Sequence, residues 1–124
     1  MSFDGSKTVL VVDDEPAVRR LTATLLKRHG YAVIEADSGD QGLEQFTRHQ
    51  GKVHVILSDV IMPRMSGPEM VGQIRAIDPS MPVLFMTGHA GFTGLPESVP
   101  VLAKPFTAAA LMRTLSDAMS GAAH

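Results

Sequence analysis

The sequence predicts a small doubly wound α/β fold, a parallel sheet with helices on both faces. Three observations predict it. Short apolar, β-branched runs recur along the chain, and each is followed by an amphipathic stretch at helical spacing. The runs are apolar throughout instead of alternating, which marks strands buried on both faces. The 124 residues suit one domain, and the right-handed crossover rule leaves few other ways to connect such strands.

The elements follow in order. The first run, Val9 to Val12, ends abruptly in Asp13, Asp14 and Glu15. Pro16 then suits a first helical turn, and Val18, Leu21, Leu25 and Leu26 recur at helical spacing until Gly30 offers a stop. Tyr31 to Ala36 reads as the second strand. Ser38 and Gln41 have capping-box spacing and open a helix carrying Leu43 and Phe46. The third strand, Val53 to Leu57, ends at Ser58 and Asp59. Ser66 and Glu69 repeat the capping spacing, with Pro68 in the first turn and Met70, Val71, Ile74 and Ile77 behind them. Val83 to Met86 forms the fourth strand, closed by Thr87 and Gly88. A weaker fifth run, Val101 to Ala103, precedes Lys104 and Pro105, and Thr107 caps a last helix carrying Leu111, Met112, Leu115 and Met119. The 16 residues between Thr87 and Lys104 break this rhythm. They include Gly88, Gly91, Gly94, Pro96 and Pro100, so a loop with at most one helical turn is expected there.

Composition removes several functional classes. A chain 44% hydrophobic and 19% charged is globular, not disordered. Without cysteine there is no disulfide framework, thiolate metal site or catalytic thiol. A net charge of −2 gives no basic footprint for nucleic acid. No run approaches ~18 apolar residues and the first residues lack a signal pattern, so a soluble, intracellular protein is expected.

In a doubly wound sheet, ligands bind beyond the carboxyl ends of the strands. There this chain places Asp13 and Asp14 after strand one, Asp59 after strand three, Thr87 after strand four and Lys104 after strand five. Three crowded carboxylates repel one another, and a hard divalent cation such as Mg²⁺ relieves that repulsion. An Asp beside Mg²⁺ can attack phosphorus to give an aspartyl phosphate, while an ammonium and a hydroxyl offset charge on the phosphoryl oxygens. Asp59, alone on the central strand, suits the nucleophile; the adjacent pair suits the metal, Lys104 the ammonium and Thr87 the hydroxyl. The histidines show no metal-ligand spacing: His49 and His54 lack the i, i+4 separation, His29 sits near a helix end, and His124 is terminal. His89 lies beside the site and is kept as a modulating candidate. The eight methionines read as core and gap filler, apart from Met62 in the loop after Asp59.

The runs VLVVDDE, SDVIMPRMSG, VLFMTGH and VLAKPF resemble the response-regulator receiver domain of two-component signalling, over roughly residues 8 to 120. Four elements in order at the predicted strand ends make the resemblance specific. DVIMPRMSGPE and MTGH are most similar to receivers of hybrid sensor histidine kinases. The resemblance implies a five-stranded, flavodoxin-like sheet in the order 2-1-3-4-5, here with the fourth helix shortened or missing. It implies that Asp59 accepts a phosphoryl group from a histidine of a sensor kinase or histidine phosphotransfer domain. Asp14 and Asp59 would ligate Mg²⁺ directly, Asp13 through water, and the Ile61 carbonyl would complete the protein ligands. Thr87 would reorient toward the phosphoryl group, Lys104 would pair with it, and Pro105 would follow a cis peptide bond. The implied protein is a signalling switch and not an enzyme, its chemistry limited to its own phosphorylation and slow dephosphorylation. A downstream protein effector is implied, with no nucleic-acid binding, no membrane insertion and a cytoplasmic location, alone or as the cytoplasmic domain of a hybrid kinase.

Some features depart from the family pattern. Many receivers carry an aromatic residue three positions before the lysine, whereas this chain has Val101. With the Gly/Pro-rich segment beside it, dimerisation through the fourth-helix face is not expected, and phosphorylation is expected to order or shift residues 88–100. Ile61, two residues past Asp59, cannot orient an attacking water, so slow dephosphorylation is expected. The 124 residues are expected to be used up by the receiver, either a stand-alone relay component or one domain of a longer protein. Three rival readings compete with this one. A haloacid-dehalogenase-type Mg²⁺ phosphatase would carry Asp-x-Asp after strand one, where this chain has Asp13, Asp14 and Glu15. A flavodoxin-like cofactor binder needs phosphate donors where these carboxylates stand. A phosphate-independent interaction module would be expected to lose some of the acids or the lysine, and all are present.

Overall fold

The unalternating apolar runs pair side by side as one parallel sheet in the computed structural model, which describes residues 7–88 and 99–121. In chain order the elements are β1 (Thr8–Val12), α1 (Pro16–Arg28), β2 (Ala32–Ala36), α2 (Gly39–Arg48), β3 (Val55–Asp59), α3 (Gly67–Ile77), β4 (Val83–Thr87), β5 (Val101–Ala103) and α4 (Ala108–Gly121). The strand order is β2-β1-β3-β4-β5. The winding therefore reverses between β1 and β3, and the ends of these two strands form the switch point of the sheet.

Strand alternation explains why both faces are apolar. Val9, Val11, Val55, Leu57, Leu84 and Met86 pack with Leu26 of α1 and with Leu111 and Leu115 of α4. Leu10, Val12, Ile56, Val83 and Phe85 point the other way and pack with Phe46 of α2 and with Met70 and Ile74 of α3. Met62 belongs to this second cluster, buried to 7% exposure, which corrects the expectation that it stands apart from the core.

Two strands run further toward their carboxyl ends than the apolar pattern predicts. β3 starts at Val55, not Val53, and takes in Ser58 and Asp59. Its neighbours supply the reason: Ser58 pairs with Val12 and with Phe85, and Asp59 pairs with Met86. Backbone ladders continue between two flanking strands whatever the side-chain polarity. β4 likewise reaches Thr87, which pairs with Ala103.

The helix starts are close to those expected. Ser66 and Glu69 form a complete capping box, the Glu69 N–H donating to Ser66 Oγ (3.2 Å) and the Ser66 N–H to Glu69 Oε1 (2.9 Å). At α2 only half the box forms on the cap residue. The Gln41 N–H donates to Ser38 Oγ, but the Gln41 side chain accepts from the Asp37 N–H at 2.7 Å. Thr107 caps α4 through the Ala110 N–H at 3.0 Å. Four helices lie among the described residues, and none is long and apolar enough to cross a membrane. Residues 89–98 lie outside the described residues, and with them the expected loop, the shortened fourth helix and His89.

Gly67 opens α3 directly beneath the end of β3. Its N–H donates to the Val60 carbonyl (2.9 Å), and a Cβ at this position would collide with the Asp59 carbonyl oxygen. Gly72, within the same helix, is exposed and meets nothing within 4 Å. Gly67→Ala is expected to destabilise the protein by about 2–3 kcal/mol, whereas Gly72→Ala stabilises it by about 0.5–1 kcal/mol. Urea unfolding of the two variants checks both signs.

Candidate functional site

Register assembles the site. Val12 pairs with Ser58, so the next residues, Asp13 and Asp59, leave adjacent strands side by side. Their side chains continue the Val9–Val11 and Val55–Leu57 series, on the face covered by α1 and α4. On the other flank, the Lys104 N–H donates to the Thr87 carbonyl at 2.9 Å, which sets the lysine beside the end of β4. The peptide bond between Lys104 and Pro105 is cis, as the resemblance implies.

The lysine side chain turns inward. Its Nζ lies 3.1 Å from Asp13 Oδ2, 3.1 Å from Asp59 Oδ2 and 3.5 Å from Glu15 Oε1. Asp13 is fully buried and Asp59 is 7% exposed, so two carboxylates and an ammonium share a largely dry environment. One carboxylate oxygen from each of Asp13, Asp14 and Asp59 lies within 4.8 Å of the other two. Burial, and then the neighbouring Asp13 carboxylate, push the Asp59 carboxyl up from 3.8 to about 7, against the pull of Lys104. Burial lowers the Lys104 ammonium, but its hydrogen bonds to Asp13 and Asp59 outweigh that and hold it above its ordinary value.

Above these groups opens a cleft of about 330 Å³ lined by Asp14, Glu15, Asp59, Ile61, Thr87 and Lys104, among others. The donor set fits a hard divalent cation. It consists of oxygens, it carries more negative than positive charge, and one of its members resists ionising without a further cation.

The structure thus brings together Asp13, Asp14, Asp59, Thr87, Lys104 and Ile61, each singled out in the sequence. Val101 stands apart from them, 44% exposed at the start of the edge strand β5. Three contributors were missed by sequence reasoning. Glu15 is a third partner of Lys104, and only its place in the acidic triplet hinted at that. Gly67 supports the backbone of Asp59, and its place between the capping-box residues Ser66 and Glu69 reads as an ordinary helix start. Arg19 donates from Nη1 to the Asp13 carbonyl at 2.8 Å, and nothing in its helical position signals this.

The comparisons with known proteins agree with this fold. The response regulator receiver domain pattern matches residues 9–116. The sensor kinase CckA of Brucella abortus (strain 2308) is 38% identical over 120 residues, which cover 93% of this chain and 13% of that kinase. This chain therefore spans a small part of that relative. The crystal structure of the receiver domain from hybrid histidine kinase CckA superposes with a TM-score of 0.79 at 32% identity, covering 90% of this chain and 98% of the other. The response regulator TrrA of Thermotoga maritima, solved in complex with Mg²⁺ and BeF, superposes with a TM-score of 0.80 at 28% identity, covering 90% of this chain and 98% of the other. The phosphatase reading finds no support among these relatives. With its doubly wound sheet and the acidic cleft at the switch point, the chain belongs to the response regulator receiver domain family of two-component signalling.

Proposed function

We propose that this domain receives a phosphoryl group on Asp59, from a phosphohistidine of a sensor kinase or a histidine phosphotransfer domain, in a Mg²⁺-dependent reaction. One observation carries the reading: a buried carboxylate at the end of β3 shares an ammonium with Asp13 at 3.1 Å, beneath a cleft that reaches solvent. The relative of similar fold solved with Mg²⁺ and BeF supports the same assignment.

The residues divide the work. An Asp59 oxygen bonds to phosphorus as the P–N bond of the phosphohistidine breaks, and the departing imidazole keeps the electron pair of that bond. The Lys104 ammonium leaves its carboxylate partners to pair with a phosphoryl oxygen, and the Thr87 hydroxyl bonds another. Asp14 and Asp59 would hold Mg²⁺ directly, with Asp13 acting through water and the Ile61 carbonyl completing the set. When bound, the cation supplies positive charge that offsets the carboxylates and the incoming phosphoryl oxygens. Catalysis by the chain is limited to accepting this group and to slow hydrolysis of the resulting acyl phosphate. Ile61, 50% exposed at the cleft, offers no polar group to position a water for that hydrolysis. Residues 88–100 are proposed to carry the change outward to an effector protein, with the domain working in the cytoplasm.

Three measurements test this reading. Acetyl phosphate and Mg²⁺ are expected to label the wild-type protein, and Asp59→Asn is expected to fall to background; equal labelling of the variant overturns the assignment. Ile61→Asn is expected to shorten the phosphoryl lifetime several-fold, read as decay of label after the donor is removed. The third concerns pH. Between about pH 4 and pH 7 the folded, metal-free chain keeps a proton on Asp59 that the unfolded chain has lost. That contribution to stability is full below the unfolded value and is lost as pH rises through about 7. Asp59→Asn lacks it, so the variant is expected to gain in unfolding free energy relative to wild type as pH rises from about 5 to about 8. A constant difference across that range contradicts the reading.

A further inference from the structure

We infer that Arg19 is a positioning residue of the acidic site: its guanidinium fixes the Asp13–Asp14 peptide, and so the direction from which Asp14 reaches a bound cation. The inference rests on the reading of Asp13, Asp14 and Asp59 as the Mg²⁺ site.

Arg19 lies in the first turn of α1, where its own N–H donates to the Glu15 carbonyl at 2.9 Å. Its side chain folds back, 14% exposed, and spans two strands. Nη1 donates to the Asp13 carbonyl at 2.8 Å, and Nε pairs with Glu35 Oε1 of β2 at 3.2 Å. Asp13 is held at its other groups as well. Its N–H donates to the Ala36 carbonyl at 3.1 Å, and its Oδ1 accepts from the Glu15 N–H at 2.9 Å. Every polar backbone group of Asp13 is therefore engaged.

The consequence falls on the next residue. The Asp13 carbonyl and the Asp14 N–H belong to one planar peptide unit, so a bond that fixes the carbonyl also fixes where Asp14 begins. Among the described residues Asp14 has no such anchor of its own in the cleft, which it lines as an exposed residue. Glu35 balances the guanidinium charge, so Arg19 orients the acidic turn without presenting an unpaired cation that would repel a metal. Two different nitrogens of Arg19, held in one plane, meet the two acceptors, and the single nitrogen of a lysine does not reproduce that spacing.

The test is Mg²⁺ affinity, followed by calorimetry or by amide NMR shifts, at a temperature where urea unfolding shows every variant fully folded. Arg19→Lys keeps the charge and loses the bridge, and it is expected to weaken Mg²⁺ binding about tenfold. Arg20→Lys, at the exposed neighbouring position, is expected to bind as wild type. Glu35→Gln is expected to weaken binding less than Arg19→Lys, and the double variant no more than Arg19→Lys alone, because both changes break one bridge. A purely structural role would lower the unfolding midpoint and leave Mg²⁺ affinity at the wild-type value in all of these variants. Wild-type affinity in Arg19→Lys, with binding weakened in Asp14→Asn, overturns the inference and leaves the site assignment standing. Unchanged affinity in Asp14→Asn overturns both. Should Arg19→Lys not fold, wild-type affinity in Glu35→Gln overturns the inference.

Discussion

One ammonium group, Lys104 Nζ, sits 3.1 Å from each of two carboxylates that are almost entirely withdrawn from water. The rest of the site takes its character from that arrangement. Burial and then the neighbouring Asp13 carboxylate outweigh the pull of this one cation, so Asp59 stays reluctant to ionise and its carboxyl is pushed up to about 7. Such a cluster is costly to keep in a folded chain. On the proposed reading it is also primed: a divalent cation or a phosphoryl group would change the charge balance at one point and give the lysine a reason to change partners.

The sheet supplies the crowding. Parallel neighbours about 4.8 Å apart bring residues that follow paired positions side by side, and the Val12–Ser58 pairing does this for Asp13 and Asp59. The reversal of winding between β1 and β3 leaves the crevice uncovered, so the carboxylates meet solvent through the cleft and not through the core. Support comes from beneath and from the side. Gly67 lets α3 approach the Asp59 backbone, and Arg19 ties the β1–α1 turn to β2. Both act on backbone geometry, and both lie outside the cleft they stabilise.

Much of this was legible in the residues. The apolar runs name the strands because each is buried on both faces, and Asp13, Asp59, Thr87 and Lys104 stand out because polar groups interrupt those runs at one end. The order β2-β1-β3-β4-β5 came through the family resemblance of four short motifs, since apolar patterning carries no information on which strands are neighbours. The apolar pattern ends β3 and β4 too early because their last residues are polar, and pairing with a neighbouring strand keeps Asp59 and Thr87 in the ladder. Met62 was set apart from the core by its place in a loop, although it is buried with Phe85 and Met70. Glu15, Arg19 and Gly67 were hidden for a common reason. Each acts across the fold on a partner distant in sequence or on a backbone atom, and neither leaves a local mark.

Burial and the neighbouring Asp13 carboxylate together hold Asp59 above the ordinary carboxylate range, and a second cation is expected to release it. The most direct measurement is a pH titration of the Asp59 side-chain carboxyl by carbon NMR, without and with saturating Mg²⁺. A midpoint near 7 in the metal-free protein, moving well down when Mg²⁺ is added, is the expected result. A midpoint near the ordinary 3.8 that ignores Mg²⁺ would contradict the account.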